Sequence, residues 1–249
     1  MWDWDYAWSI LPELAASFGT AFSAMAWGFA MACMGGLILV AAGRSRLAVL
    51  RLPARGLVQF IRNTPLLVQL FFLYYSLPMA IGIAPSAFVT GVVGLGLHYS
   101  TYMSEVYRAG IEGVPKGQWE AAKALNYNGR QTWFTIILPQ ALPPMIPVMG
   151  NYLIVIFKDT PILSAITLVE TLLTAKNLTS VSFRFFEPYT LVGVLFLIIC
   201  VIFSFLLRRI EVRFNRHHLG SKQGASRSFG RRKHERTQPN VDNREVFPG

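Results

Sequence analysis

The sequence predicts an all-α membrane protein of five transmembrane helices, with a polar helix-forming loop between the third and the fourth. Three observations carry this. The chain is 53% hydrophobic and only 14% charged, where a globular chain carries about 25% charged residues. Asp, Glu, Lys and Arg are absent from four long stretches, 14–43, 63–104, 131–157 and 188–207, and a bilayer crossing needs roughly 20 mostly apolar residues. The Lys and Arg residues that do occur collect in alternate connections, the pattern of loops held on the cytoplasmic side. Four charge-free stretches of this length are too long for the core strands or helices of a soluble protein.

The first span is placed at about 17–43. Trp2, Trp4 and Trp8 sit at its leading edge, where indole rings anchor at the headgroup level; stacking on a ligand is the alternative. Gly28, Ala30, Ala32, Gly35 and Gly36 let a neighbouring helix approach. The second span runs over 59–78 and the third over 86–107, because the 63–104 stretch is long enough for two crossings and breaks near Pro78 to Pro85. Gly91, Gly94 and Gly96 give the third span its own close-packing positions. It also carries His98, an ionisable group at a depth where such groups are costly and often functional. The ring either meets a substrate carboxylate or bonds between helices, and the second reading is the blander one. Glu105 and Arg108, three apart, can pair on one helix face, and Arg62 is a candidate to join them.

The loop at about 109–140 is the most informative segment. Pro115 suits a first helical turn, since its missing N–H has no intrahelical partner there anyway. Gln118 to Leu125 are mostly good helix formers, and Trp119, Ala122 and Leu125 are spaced to share one face. Asn126 is suited to close this helix in a left-handed conformation. A second helical piece is expected from about Gly129 to Ile137, with Pro139, Pro143, Pro144 and Pro147 marking re-entry into the membrane. A helix this short is marginal in water and needs a partner surface.

The fourth span is placed at 141–160. From Ala141 to Lys158 a helix rises about 27 Å, which sets Lys158 and Asp159 near the far edge and leaves Asn151 as the deeper polar group. Pro161 is expected to break the helix there, and broken helices line the path in several transporter folds; anchoring is the competing role for the Lys158–Asp159 pair. The fifth span is 188–208.

Between Arg44 and Arg62 there are five arginines and no acid. The loop after the third span holds Arg108, Lys116, Lys123 and Arg130, whereas the remaining connections carry only Lys158, Lys176 and Arg184. The consistent solution puts the N-terminus outside, the C-terminus inside and the 109–140 loop in the cytosol. The chain then divides into a membrane domain, 1–211, and a basic tail, 212–249. Of the net charge of +10, +7 lies in residues 208–249. That tail is polar enough to be expected disordered. An anionic lipid surface would attract it, a solvated role is the alternative, and nucleic acid is not expected as a partner. Cys33 and Cys200 lie inside spans without metal-ligand spacing and read as small buried residues. The acidic start Met1-Trp2-Asp3-Trp4-Asp5 lacks the basic region of a cleavable signal peptide.

The loop reads Glu120-Ala121-Ala122, three residues, Asn126, nine residues, Ile136, one residue, Leu138-Pro139. This resembles the EAA loop of ATP-binding-cassette importer permeases, with Asn126 where the family usually has Gly. Arg62-Asn63-Thr64-Pro65-Leu66-Leu67-Val68-Gln69, Lys158-Asp159-Thr160-Pro161 and the Glu105-Val106-Tyr107-Arg108-Ala109-Gly110 run resemble the polar amino acid branch of those permeases, the histidine-, glutamine-, opine- and ectoine-like systems. The resemblance covers roughly Arg62 to Glu170, and more loosely extends to Leu207. It implies a fold similar to the methionine-importer-like permeases, in the bacterial cytoplasmic (inner) membrane. It implies a partner permease, identical or homologous, a dimer of ATPase subunits, and an extracytoplasmic solute-binding protein. It also implies that Glu120, Ala121, Ala122 and Asn126 form the coupling segment the ATPase grips, and that the solute is a polar amino acid or a small zwitterion. His98, Asn151, Lys158 and Asp159 are the candidate path residues.

The chain has no Gly-x-x-x-x-Gly-Lys-[Ser/Thr] phosphate loop, so ATP and magnesium are expected on the partner, and no cofactor or metal on this chain. A stand-alone channel or ion-coupled carrier is the alternative function; the shortage of mid-span acids argues against proton coupling. A membrane enzyme lacks support, since neither a His-Glu-x-x-His cluster nor paired span carboxylates occur.

Overall fold

A computed structural model describes residues 2–209. Among them the architecture is helical throughout: α1 Trp4–Gly43, α2 Ala48–Arg62, α3 Leu66–Ile81, α4 Ala87–Glu112, α5 Lys116–Ala124, α6 Gly129–Ile166, α7 Thr171–Ser182 and α8 Phe186–Arg209. The boundary expected at 211/212 and the basic tail lie outside the described residues.

The helix carrying the first predicted span begins well before residue 17. Asp3 caps it, its carboxylate accepting the Asp5 and Tyr6 N–H groups at 3.1 Å, and Pro12 is carried inside the helix. The end is clasped: Arg184 reaches Asp3 at 2.6 Å, the Asp3 N–H donates to the buried Glu187 at 3.0 Å, and the Tyr6 hydroxyl donates to Ser182 at 2.8 Å. The Tyr6 N–H, with Arg184, holds the Asp3 carboxyl below the usual carboxylate range. Trp4 and Trp8 are exposed, while Trp2 packs edge-on against Trp4 and Phe186.

The second span is not the continuous 59–78 helix that the charge gap predicts. The chain turns by 108° between α2 and α3. Pro65 has no N–H to continue the helix, and it restricts Thr64 before it. The Gln69 amide takes up the freed groups, donating to Ile61 O at 2.8 Å, Thr64 O at 3.0 Å and Thr64 Oγ1 at 2.7 Å. The charge-free stretch therefore starts inside this corner, and α2 is a separate amphipathic helix.

α1 and α4 form the principal packing pair, and small residues make it close. A β-carbon at Gly28 would lie 3.1 Å from Leu95 Cβ, one at Gly35 2.8 Å from Ser100 Cβ and one at Gly36 2.5 Å from Met103 Cβ. Gly96 meets Met31, Gly94 meets Leu70 and Gly91 meets Leu163 in the same way. Ala30, grouped with these from sequence, is exposed and off the seam. Half of α4 is buried, including His98, Ser100, Thr101 and Ser104. These polar groups, with Glu105, Arg108 and Glu112, lower its hydropathy. Among the described residues, α1, α6 and α8 alone are long and apolar enough to cross a membrane by composition, and the bent α2–α3 pair makes a fourth candidate. α4 instead is shielded by its neighbours, which is where ionisable groups in a membrane protein belong.

The piece expected to end near Ile137 is not separate from the fourth span. α6 runs through Pro139, Pro143, Pro144 and Pro147, entering by a wide π turn at Thr132–Ile137 and leaving by a tight 3₁₀ turn at Thr160–Ile166. Such adjustments let a helix absorb proline within a membrane. The helix is likewise tightened at Pro161 rather than broken. Past it, Glu170 caps α7, accepting the Leu172 and Leu173 N–H groups at 2.9 Å each. Burial pushes the Glu170 carboxyl up, and those two N–H bonds act against it.

Candidate coupling segment and translocation path

The candidate coupling segment is built by local rules. α5 starts directly after Pro115. It ends in a left-handed Asn126, φ +55°, as the sequence leads one to expect. The Tyr127 N–H donates to Ala122 O, five residues back, and the Asn126 N–H to Lys123 O, both at 3.0 Å, a closure that takes up the last carbonyls. Asn128 and Gln131 then cap α6 reciprocally, at 2.9 and 3.0 Å.

The segment rests on its neighbours through one face. Ala122 is fully buried, Trp119 meets Trp133 edge-to-face at 5.6 Å, and Gln140 donates to Gln118 at 3.2 Å and to Ile136 O at 2.8 Å. Glu120, Ala121 and Asn126 stand on the outer side, exposed. Leu125 does not share the inner face with Trp119 and Ala122. α5 stops one residue earlier, and Leu125 is 65% exposed, as is Phe134 on α6. A short rod thus presents an acid and a methyl group, with an uncovered leucine just past its end.

The path candidates divide. His98 is buried, its Nδ1 3.1 Å from Gln69 Oε1, so the interhelical bond is its structural role. Asp159 accepts a hydrogen bond from the Tyr99 hydroxyl across α4 and α6. His98 and Asp159 are thereby joined through Tyr99, whose ring centre is 5.2 Å from the imidazole. Asn151 and Lys158 are exposed, and no side-chain hydrogen bond among the described residues ties them to this group.

Sequence reasoning missed most of the cluster. Tyr102 and Tyr152 pack at 5.6 Å, Tyr99 and Tyr102 at 5.8 Å, and the Arg62 guanidinium lies 5.2 Å from the centre of the Tyr102 ring. Arg62 does not join the Glu105–Arg108 pair as anticipated. Arg108 bonds Glu105 at 2.6 Å and Glu112 at 2.7 Å, and Arg62 stacks on the aromatic face instead. The signal available was the Tyr99, Tyr102 spacing of three on α4, which reads equally well as core. A cleft of about 560 Å³ opens beside the cluster, lined by Arg62, Tyr102, Glu105, Arg108, Gln140 and Tyr152 among others. That size holds a small ligand. Groups of His, Cys, Asp and Glu able to hold a metal ion are absent among the described residues.

The Tyr99–Asp159 bond gives a testable stability effect. Tyr99→Phe strips the donor from a carboxylate between two helices, so the chain is expected to lose about 1–2 kcal/mol, read as a lower melting temperature of the detergent-purified protein.

Comparisons place this geometry among known proteins. The profile of the family described as binding-protein-dependent transport system inner membrane component matches residues 32–216. The probable amino-acid ABC transporter permease protein y4tG of Sinorhizobium fredii is 45% identical over 207 residues, 83% of this chain and 89% of its own. A solved amino acid ABC transporter, crystallised with histidines, superposes with a TM-score of 0.81 at 30% identity, over 86% of this chain and 99% of its own. The MetNI methionine ABC transporter superposes with a TM-score of 0.66 at 17% identity, over 86% and 99% respectively, a likeness of fold.

Proposed function

Since the chain belongs to the family of binding-protein-dependent transport system inner membrane components, we propose that it is the membrane-spanning subunit of an ATP-driven importer carrying a polar amino acid or a related small zwitterion by alternating access. The observation that carries this reading is the α5 rod, held by Ala122 and Trp119 and uncovered at Glu120 and Ala121. A separate ATPase dimer grips that rod, binds the ATP and magnesium, and transmits its closure to α4 and α6, the helices that flank it. A second permease, identical or homologous, completes the path, and an extracytoplasmic binding protein delivers the solute. The N-terminus lies outside and the C-terminus in the cytosol, as the arginine bias supports. The solute class is supported by the names of the similar proteins and by the cleft, where the Arg62 guanidinium over the Tyr102 ring is a cation suited to a solute carboxylate.

The test is reconstitution. The chain with its partner permease and ATPase in proteoliposomes, supplied with the loaded binding protein and labelled amino acids, is expected to accumulate solute only with internal ATP. Equal uptake by liposomes lacking the ATPase would overturn the reading in favour of a stand-alone channel or carrier.

A further inference from the structure

A second, larger cleft of about 710 Å³ lies between α2 and the neighbouring ends of α1 and α4. Five arginines line it, Arg44, Arg51, Arg55, Arg62 and Arg108, against two acids, Glu105 and Glu112. Both acids are already taken by Arg108, and Glu112 also faces Arg44 at 3.7 Å. Arg51, Arg55 and Arg62 make no salt bridge among the described residues, and Arg51 Nε, shut off from solvent, finds no hydrogen-bond partner among them. A cationic cleft with a buried, unpaired guanidinium nitrogen is built for an anion.

The placement of α2 says which anion. At 3.6 residues per turn, Arg51, Arg55 and Arg62 fall within a narrow arc of one face, the face that borders the cleft. Val49, Leu57 and Phe60 fall on the opposite side and are exposed, while Ala54 and Ile61 are buried between the two arcs. With α3 crossing the bilayer, the 108° bend lays α2 close to the bilayer plane. A helix lying so, apolar on one side and basic on the other, sits at the headgroup level, with its uncovered face against acyl chains. The ligand must therefore be an anion that is present at headgroup depth and brings its own hydrocarbon.

We infer that α2 and the ends of α1 and α4 form a binding site for the phosphodiester headgroup of an anionic phospholipid, held by Arg51 and Arg55. Gln69 carries the consequence inward. Its amide closes the α2–α3 corner while its carbonyl pairs with His98 on α4, so a lipid that fixes α2 also fixes the helix bearing the tyrosine cluster. Lipid binding is read without transport, so its outcome is separate from that of the importer assignment.

The test uses the full chain assembled with its partner subunits, equilibrated in mixed micelles of equimolar phosphatidylglycerol and phosphatidylethanolamine, with retained lipid quantified by mass spectrometry. The native complex is expected to enrich phosphatidylglycerol by about fivefold to thirtyfold, the scale of one or two arginine–headgroup contacts. Arg51→Gln with Arg55→Gln should return the ratio to that of the micelle. Arg55→Gln alone, at an exposed position where folding is not at stake, should move it part of the way, and Arg51→Lys and Arg130→Gln should keep it. Undiminished enrichment in both Gln variants would overturn the site. So would displacement of phosphatidylglycerol by inorganic phosphate at millimolar concentration, which would mark a soluble anion as the occupant.

Discussion

Glu120→Lys is expected to abolish ATP-driven uptake while leaving the chain folded and inserted. The side chain is exposed and makes no hydrogen bond or ion pair among the described residues, so its replacement costs the isolated subunit no more than about 0.5 kcal/mol. In the ATPase contact proposed for α5 the loss is far larger. Reversing a charge that is paired across an interface costs on the order of 2–5 kcal/mol, at least about a thirtyfold fall in coupled ATPase binding. Two companions locate the effect. Ala121→Trp, equally exposed but uncharged, tests the slimness of the rod and should also suppress uptake. Glu13→Lys, an exposed charge reversal on α1 and outside the α5 segment, should leave most uptake intact. The measurement is binding-protein-dependent uptake beside ATPase co-purification. Normal uptake by Glu120→Lys with a normally assembled complex would remove the mechanical role from α5.

The geometry of α5 and its left-handed close was legible because its determinants are local. A proline before a helix, an amide side chain at the left-handed position and a reciprocal Asn–Gln cap each act within a few residues, and Asn126 takes the positive φ that its place in the pattern requires. The close-packing positions were legible in part: Gly28, Gly35, Gly36 and Gly96 lie on the α1–α4 seam, whereas Gly91 and Gly94 face Leu163 and Leu70, and spacing alone did not say that these two spans pair. The corner at Asn63–Pro65 was not. The charge gap beginning at residue 63 suggested a continuous apolar segment, while the geometry is decided by one proline and by an amide four residues later, at Gln69. The tyrosine cluster was hidden for a different reason. Tyr99, Tyr102 and Tyr152 come together only when α4 crosses α6, and a lone tyrosine in a span reads as core until its neighbours are known. Leu125 shows the limit of periodicity: its spacing put it on the inner face, but the helix ends before it.

Gly36→Leu is the second substitution with a large effect, and it tests whether the α1–α4 seam is as rigid as its distances imply. At Gly36 a β-carbon alone would come within 2.5 Å of Met103 Cβ and 3.0 Å of the Ser104 amide nitrogen. The second obstacle is backbone, which cannot swing aside, so the two helices must separate along a seam that both use for most of their length. The cost is expected to reach about 3 kcal/mol or more, seen as loss of folded protein after extraction. Leucine is a better helix former than glycine by nearly 1 kcal/mol, so propensity works against this outcome. Gly19→Leu isolates that term. The same helix there has nothing within 4 Å of the added carbon, and the variant should be neutral or slightly more stable. Gly96→Leu meets Met31, whose Cγ and Sδ at 2.6 and 2.7 Å can turn away but whose Cβ at 2.8 Å cannot, and should fall between the two, nearer Gly36→Leu. Equal thermal stability of the Gly36 and Gly19 variants would mean that α1 and α4 are not in contact as described. The path would then have to be built from other helices, since His98 and Tyr99 reach their partners only from an α4 held against α1.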